Sequence, residues 1–106
     1  MTRRILVTAR ATREIRRSFA WLLIERDRTY AEKWYVRIQT AIASLVFDAD
    51  QWPEAAEAEW FGPGLRERLV GRKRQAYRIL FSIQGEIVYV HTLRHISQDF
   101  LTPDDL

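Results

Sequence analysis

The chain has 106 residues, a length that fits one domain, and its 47% hydrophobic content suffices for a modest core. It contains no Cys, so disulfides, thiolate metal sites and thiol catalysis are excluded, and with only two His, His91 and His95, no metal or other cofactor is expected. The net charge is +3, and all 17 basic residues lie outside residues 38–64, where five acids gather: Asp48, Asp50, Glu54, Glu57 and Glu59.

In chain order, Arg3 to Thr8 (RRILVT) reads as a short strand, and Thr8 is placed to cap a helix running to about Arg26. Ile15, Phe19, Leu22 and Leu23 repeat at the spacing of one helical face, with Arg13, Arg16 and Arg17 on the other. Thr29-Tyr30-Ala31-Glu32 has the capping-box form, hydroxyl first and carboxylate three residues later, and is expected to open a second helix. Its apolar set is Ala31, Trp34, Tyr35, Ile38, Ala41, Ile42, Leu45 and Val46. Two amphipathic helices joined this closely make an antiparallel hairpin with one wide apolar face.

Residues 48–64 hold two of the three Pro and two of the four Gly and read as a linker, with one helical turn at Glu54 to Glu59. Trp52, Trp60 and Phe61 within it read as anchors folding the linker onto the sheet, or as a partner-binding patch. Three strand candidates follow: Leu65 to Val70, Gln75 to Ile83 after a turn at Gly71 to Arg74, and Glu86 to Arg94 after a tight hairpin at Gln84-Gly85. The tail, His95 to Leu106, is acidic at its end and lacks periodicity. The expected fold is one α+β domain over 1–106, ordered β-α-α-β-β-β. Its antiparallel meander is covered on one face by the helix hairpin, and the other face is left free.

In the middle strand Tyr77, Ile79, Phe81 and Ile83 alternate with Ala76, Arg78, Leu80 and Ser82, so the apolar set should meet the helices and Arg78 the open face. Residues 65–78 concentrate Arg66, Arg68, Arg72, Lys73, Arg74 and Arg78 against the single acid Glu67. Such a stripe suits nucleic-acid phosphates or an acidic protein, and equally a solvated, salt-bridged surface. Arg66, Arg68, Arg78 and Arg94 are expected to line one concave surface. The basic amino-terminal stretch precedes no apolar run of roughly 7–15 residues, and Phe19 to Ile24 is too short to span a bilayer, so a cytoplasmic protein without membrane contact is expected.

The order of elements, the Arg-rich composition and the run Gly71-Arg72 … Ala76-Tyr77-Arg78-Ile79-Leu80-Phe81, followed by a Gly hairpin, an aliphatic strand and Arg94-His95, resemble the RelE/ParE superfamily of bacterial type II toxins, including plasmid-stabilisation proteins. The resemblance covers nearly the whole chain and implies a cognate antitoxin partner. It implies two activities on one fold: ribosome-dependent cleavage of messenger RNA, or inhibition of DNA gyrase without a catalytic site. An inactive relic that binds only its antitoxin is a third possibility. As a metal-independent endoribonuclease the chain would use Arg78, Arg68 and Arg94 to stabilise charge. A fixed guanidinium at the phosphate contributes about 2–4 kcal/mol. His95 would be the general acid, and Arg66, Arg72, Lys73 and Arg74 would bind the RNA or another target.

Each of these has a plainer reading. Arg78 would tie down the tail through Asp99 or Asp104, and Arg66 and Arg68 would be solvent-exposed. His95 would be a structural hydrogen-bonder at a strand end, and His91, on the face of Ile87, Tyr89 and Leu93 if alternation holds, would serve core or edge. The sequence also departs from the ribonuclease pattern: no Tyr follows Tyr89, Phe100 stacks but cannot act as a base, and three acids occupy the tail.

Overall fold

The computed structural model describes residues 3–105. Strand β1 (Arg4–Val7) leads into helices α1 (Ala9–Glu25) and α2 (Arg28–Asp48), then a short helix α3 (Ala58–Phe61), then strands β2 (Leu65–Val70), β3 (Tyr77–Gln84) and β4 (Ile87–His95). The four strands form one sheet in the order β1-β4-β3-β2. The meander β2-β3-β4 is antiparallel, and β1 closes the other edge parallel to β4, from Arg4 opposite Ile87 to Val7 opposite Val90. The parallel pairing follows from the two-helix crossover, which returns the chain to the sheet by way of one face.

Thr8 caps α1 as its position predicts: its Oγ1 accepts from the Ala11 N–H at 3.1 Å and donates to the His91 carbonyl at 3.0 Å. One hydroxyl therefore fixes both the start of the helix and its seat on β4. The second helix opens two residues earlier than the capping-box pattern indicates. Asp27 is its cap, with Oδ1 accepting from the Tyr30 N–H at 2.8 Å, so Thr29 lies inside the helix. A carboxylate at an N-cap satisfies an orphan donor and also meets the positive end of the helix dipole, which a Thr hydroxyl does not.

The main core lies between the hairpin and the inner face of the sheet. Ile15 and Leu22 of α1 and Trp34, Ile38, Ile42 and Leu45 of α2 meet Tyr77, Ile79 and Phe81 of β3 and Val88, Val90 and Leu93 of β4. The period-3.6 and period-2 patterns of the sequence converge here.

The outer face of the sheet is not free. Ala55, Ala58, Leu65, Leu80 and Leu101 form a second, smaller buried cluster with Trp60 packed against it. Linker and tail meet there, joined by Trp60 Nε1 donating to the Leu101 carbonyl at 3.1 Å. The expected turn at Glu54 to Glu59 falls instead at Ala58–Phe61, because Glu54 is held in a bridge with Arg66 along the edge of β2. Trp52 packs on the main core and Phe61 lies 5.1 Å from the His91 ring, so the linker aromatics anchor the fold.

Alternation in β4 breaks at His91. Leu80 pairs with Thr92 while Phe81 pairs with Val90, so His91 is the extra residue of a β-bulge. The bulge returns Leu93 to the inner core with Val88 and Val90, and His91 stays on the outer side, its Nε2 2.7 Å from Ser82 Oγ. Its pairing with Ile87, Tyr89 and Leu93 on one face, expected from strict alternation, therefore fails at Leu93.

Thr8→Ala removes the cap and the tie to β4 together. Urea unfolding should show a loss toward the upper end of the usual cap range of about 0.5–2 kcal/mol, with an unchanged m-value.

Candidate functional site

Arg78 is the centre of the outer layer. Alternation in β3 sends Tyr77, Ile79 and Phe81 inward, so Arg78 points outward as the sequence indicates, but into the second cluster rather than into solvent; it is 2% exposed. Its Nη1 donates to Glu57 Oε2 at 3.0 Å and Nη2 to Glu57 Oε1 at 2.7 Å, a two-pronged pairing. Nε donates to Glu67 Oε1 on the neighbouring strand. The Phe100 ring covers the guanidinium with its centroid 5.0 Å from Cζ. Five N–H donors in a planar fork let one Arg join two carboxylates from different elements, which Lys cannot do with the same geometry.

Glu57 is 1% exposed, and its Oε2 also accepts from the Leu101 N–H at 3.1 Å. The tail is thus held through Glu57 and through Arg94, whose Nη2 donates to the Asp99 carbonyl at 2.7 Å, and not through the Asp99 or Asp104 carboxylates on Arg78. Burial pushes the Glu57 carboxyl up, but the hydrogen bonds from Arg78 and Leu101 and the charge of Arg78 outweigh it, leaving the group below its ordinary range. Burial alone would lower the Arg78 pKa; hydrogen bonds from its guanidinium to Glu57 and Glu67 and their charges raise it instead.

The four strand arginines do not share a surface. Arg78 and Arg94 face each other in register on the outer side. Arg66 and Arg68 share their face of β2 with Val70, which belongs to the inner core, so they project toward the helices. Arg66 Nη1 donates to the Trp52 carbonyl at 2.6 Å, and the Arg68 guanidinium lies over the Trp52 ring at 4.3 Å. The expectation of one concave surface fails because residues two apart on β2 point away from the face that position 78 takes on β3.

His95 also lies on the inner side, edge-on to Tyr77 with centroids 5.0 Å apart. Its Nδ1 accepts from the Ser97 N–H at 3.1 Å and lies 2.7 Å from Ser97 Oγ, which leaves Nε2 as its open nitrogen. Arg72, Lys73 and Arg74 are exposed on the β2–β3 connection. Gly71 starts that connection at φ 95°, where a Cβ would come within 3.3 Å of Ala76 Cα, so the tight turn presents the three cations to solvent.

Sequence reasoning missed the acids that organise this region. Glu57 and Glu67 appear there as linker acidity and as one acid among six bases, and only the fold brings them to Arg78. Glu14 is similar: its Oε1 accepts from Thr92 Oγ1 at 2.7 Å and from the Leu93 N–H at 3.1 Å, satisfying the strand at its bulge. Among the described residues no group of three or more His, Cys, Asp or Glu is placed to hold a metal ion, and no helix is long and apolar enough to cross a membrane.

No protein-family model matches the chain, and no curated protein sequence does. Among solved structures, a chain described as "Chromosomal ParDE TA system from P. aeruginosa" matches with a TM-score of 0.74 at 16% identity, covering 91% of this chain and 98% of that one. The two share a fold: the β-α-α-β-β-β arrangement expected from the sequence is that of this toxin–antitoxin structure.

Arg78→Ala strands Glu57 in the interior and should cost about 3–5 kcal/mol in denaturant unfolding. Acid should destabilise the fold in two windows. Burial lowers the His91 pKa from 6.5, so the unfolded chain takes up the proton first and stability falls as pH drops below about 6.5. Glu57 is depressed from 4.5, so its contribution is complete above 4.5 and is lost as pH falls from there through its folded value. Melting temperature against pH for His91→Gln should lack the first fall and keep the second.

Proposed function

We propose that this chain is the toxin subunit of a type II toxin–antitoxin pair and that it arrests growth by binding a protein, as ParE-like members bind DNA gyrase, rather than by cutting messenger RNA. The single observation behind the choice is the state of Arg78. A charge-stabilising Arg must present its guanidinium to the phosphate. Here all three of its nitrogens donate to Glu57 and Glu67, and Phe100 covers it. The other nuclease candidates, Arg68 and His95, lie on the opposite face of the sheet from Arg78 and Arg94, which argues against one catalytic centre.

The fold shared with the ParDE structure supports the toxin assignment and a cognate antitoxin as partner. Surface character supports a protein-binding mode. The hairpin exposes Trp21 (54%), Ile24 (81%), Val36 (62%) and Phe47 (79%), large apolar side chains available to a partner chain. Arg72, Lys73 and Arg74 add a cationic rim suited to an acidic partner.

Brief induction in bacterial cells lacking the antitoxin should arrest growth and raise the amount of gyrase covalently held on cleaved DNA. Sequencing of new RNA 5′ ends should find no cuts in phase with codons, and His95→Ala should stay toxic. Codon-phased cuts abolished by His95→Ala would instead establish a ribosome-dependent endoribonuclease, and no arrest at all would identify an inactive relic.

A further inference from the structure

A cavity of about 590 Å³ lies between the first half of α2 and the β2–β3 connection, away from Arg78. Tyr30, Lys33, Trp34, Arg37 and Arg72 form its working surface, with Val70 and Gly71 as floor. The volume is within the roughly 300–1,000 Å³ typical of small-molecule sites. Its chemistry is one-sided: three cations and no acid line it, and Glu32 belongs only to the adjoining groove. Among the described residues none of Lys33, Arg37 and Arg72 has an ion-pair partner. Lys33 and Arg37 stand one turn apart on the same helix, a like-charge spacing that is unfavourable unless an anion lies between.

The second observation concerns Trp34. The chain has four Trp. Trp52 Nε1 donates to Asp48 Oδ1 at 3.2 Å, Trp60 Nε1 donates to the Leu101 carbonyl, and Trp21 is half exposed. Trp34 is 6% exposed, and its Nε1 is buried with no acceptor. A buried indole N–H without a partner costs free energy comparable to a lost hydrogen bond, and natural folds rarely carry one without a reason. Trp34 lines this cavity, and because its Nε1 has no accessible surface, a ligand oxygen would reach it only if the ring shifts on binding.

We propose that this cavity is a binding site for a phosphate monoester of nucleotide size. A carboxylate is saturated by one Arg fork, whereas a phosphate monoester has three terminal oxygens and close to two charges, matching two guanidiniums and an ammonium. Tyr30, only partly buried, supplies the aromatic face against which a base can rest, and Arg26, its Cζ 5.0 Å from the Tyr30 ring centroid, adds further positive charge at the rim. The site lies apart from the Arg78 cluster, so the inference does not depend on the toxin reading. A free nucleotide and the terminal phosphate of a nucleic-acid strand present the same chemistry.

The experiment is a titration of the ¹⁵N-labelled full chain with adenosine 5′-monophosphate, following the four indole N–H signals, with Trp34 assigned by Trp→Phe changes at the other three positions. The expected result is a shift confined to the Trp34 indole signal, absent with adenosine, and weakened by about tenfold or more in Arg37→Gln/Arg72→Gln, which removes two charge-assisted contacts. Both arginines are exposed, so the double variant should fold; Lys33→Gln carries the same comparison if its spectrum is not dispersed. A 5′-phosphorylated RNA tetramer that competes, where its 5′-hydroxyl form does not, identifies the strand terminus as the source, and failure of both to compete identifies the free nucleotide. An unmoved Trp34 signal, equal binding of adenosine, undiminished binding by the charge variants, or a response to an acidic peptide alone would overturn the proposal.

Discussion

The outer half of this protein hangs on one guanidinium. Arg78 reaches from the centre of the sheet to Glu57 in the linker and Glu67 on the edge strand, and Glu57 in turn takes the Leu101 N–H from the tail. Segments far apart in sequence thereby meet at a point where water is excluded. A desolvated ion pair of this kind is a weak source of net stability, because removing both charges from water offsets most of their attraction. Its value is geometric: the apolar contacts of Ala55, Ala58, Leu65, Leu80 and Leu101 would tolerate many arrangements, but the forked hydrogen bonds accept very few.

The same logic of satisfied polar groups operates at the other side of the outer layer. The bulge at His91 displaces the ladder, and Glu14 from α1 takes up the Thr92 hydroxyl and the Leu93 N–H there. Thr8 binds the His91 carbonyl. The first turns of α1 are therefore stitched to the irregular stretch of β4 by two side chains. An irregular strand becomes a fixed one, and the bulge sets which side chains face inward from Leu93 onward.

Most of the scaffold was legible because periodicity reports burial directly. Ile15, Leu22, Trp34, Ile38, Ile42 and Leu45 on the helices, and Tyr77, Ile79 and Phe81 on β3, occupy the core that their spacing implies. The bounds of β2 are those expected, Leu65 to Val70. What was not legible depends on long-range pairing. The cap of α2 passed from Thr29 to Asp27 because both residue types suit the position and only the observed turn decides. The free outer face was an illusion of strand counting: a linker of alanines and acids has no period that announces it as a lid, and Leu101 is one apolar residue in a polar tail. The arginine surface failed through face parity. Register places Arg78 opposite Leu69 and Arg94, while Arg66 and Arg68 belong to the other parity on β2. The stretch of greatest charge density in the sequence is thus split between two sides of one sheet.

That split has a consequence for where chemistry can occur. Linker and tail cover the outer sheet face, and Arg66, Arg78 and Arg94 direct donors to carbonyls and carboxylates of the fold itself while Arg68 lies over the Trp52 ring. Arg72, Lys73 and Arg74 on the β2–β3 connection gather at the rim with Lys33 and Arg37 of α2, which lie across the cavity from Arg72. Gly71 is what allows this concentration, since its left-handed backbone and the close approach of Ala76 turn the chain sharply enough to aim Arg72 back toward the helix. Charge that reads in the sequence as a property of strands is, in the folded protein, a property of a turn and a helix facing each other. The anionic ligand and the acidic partner proposed above would both meet that edge of the molecule, while the buried arginine keeps the opposite layer in place.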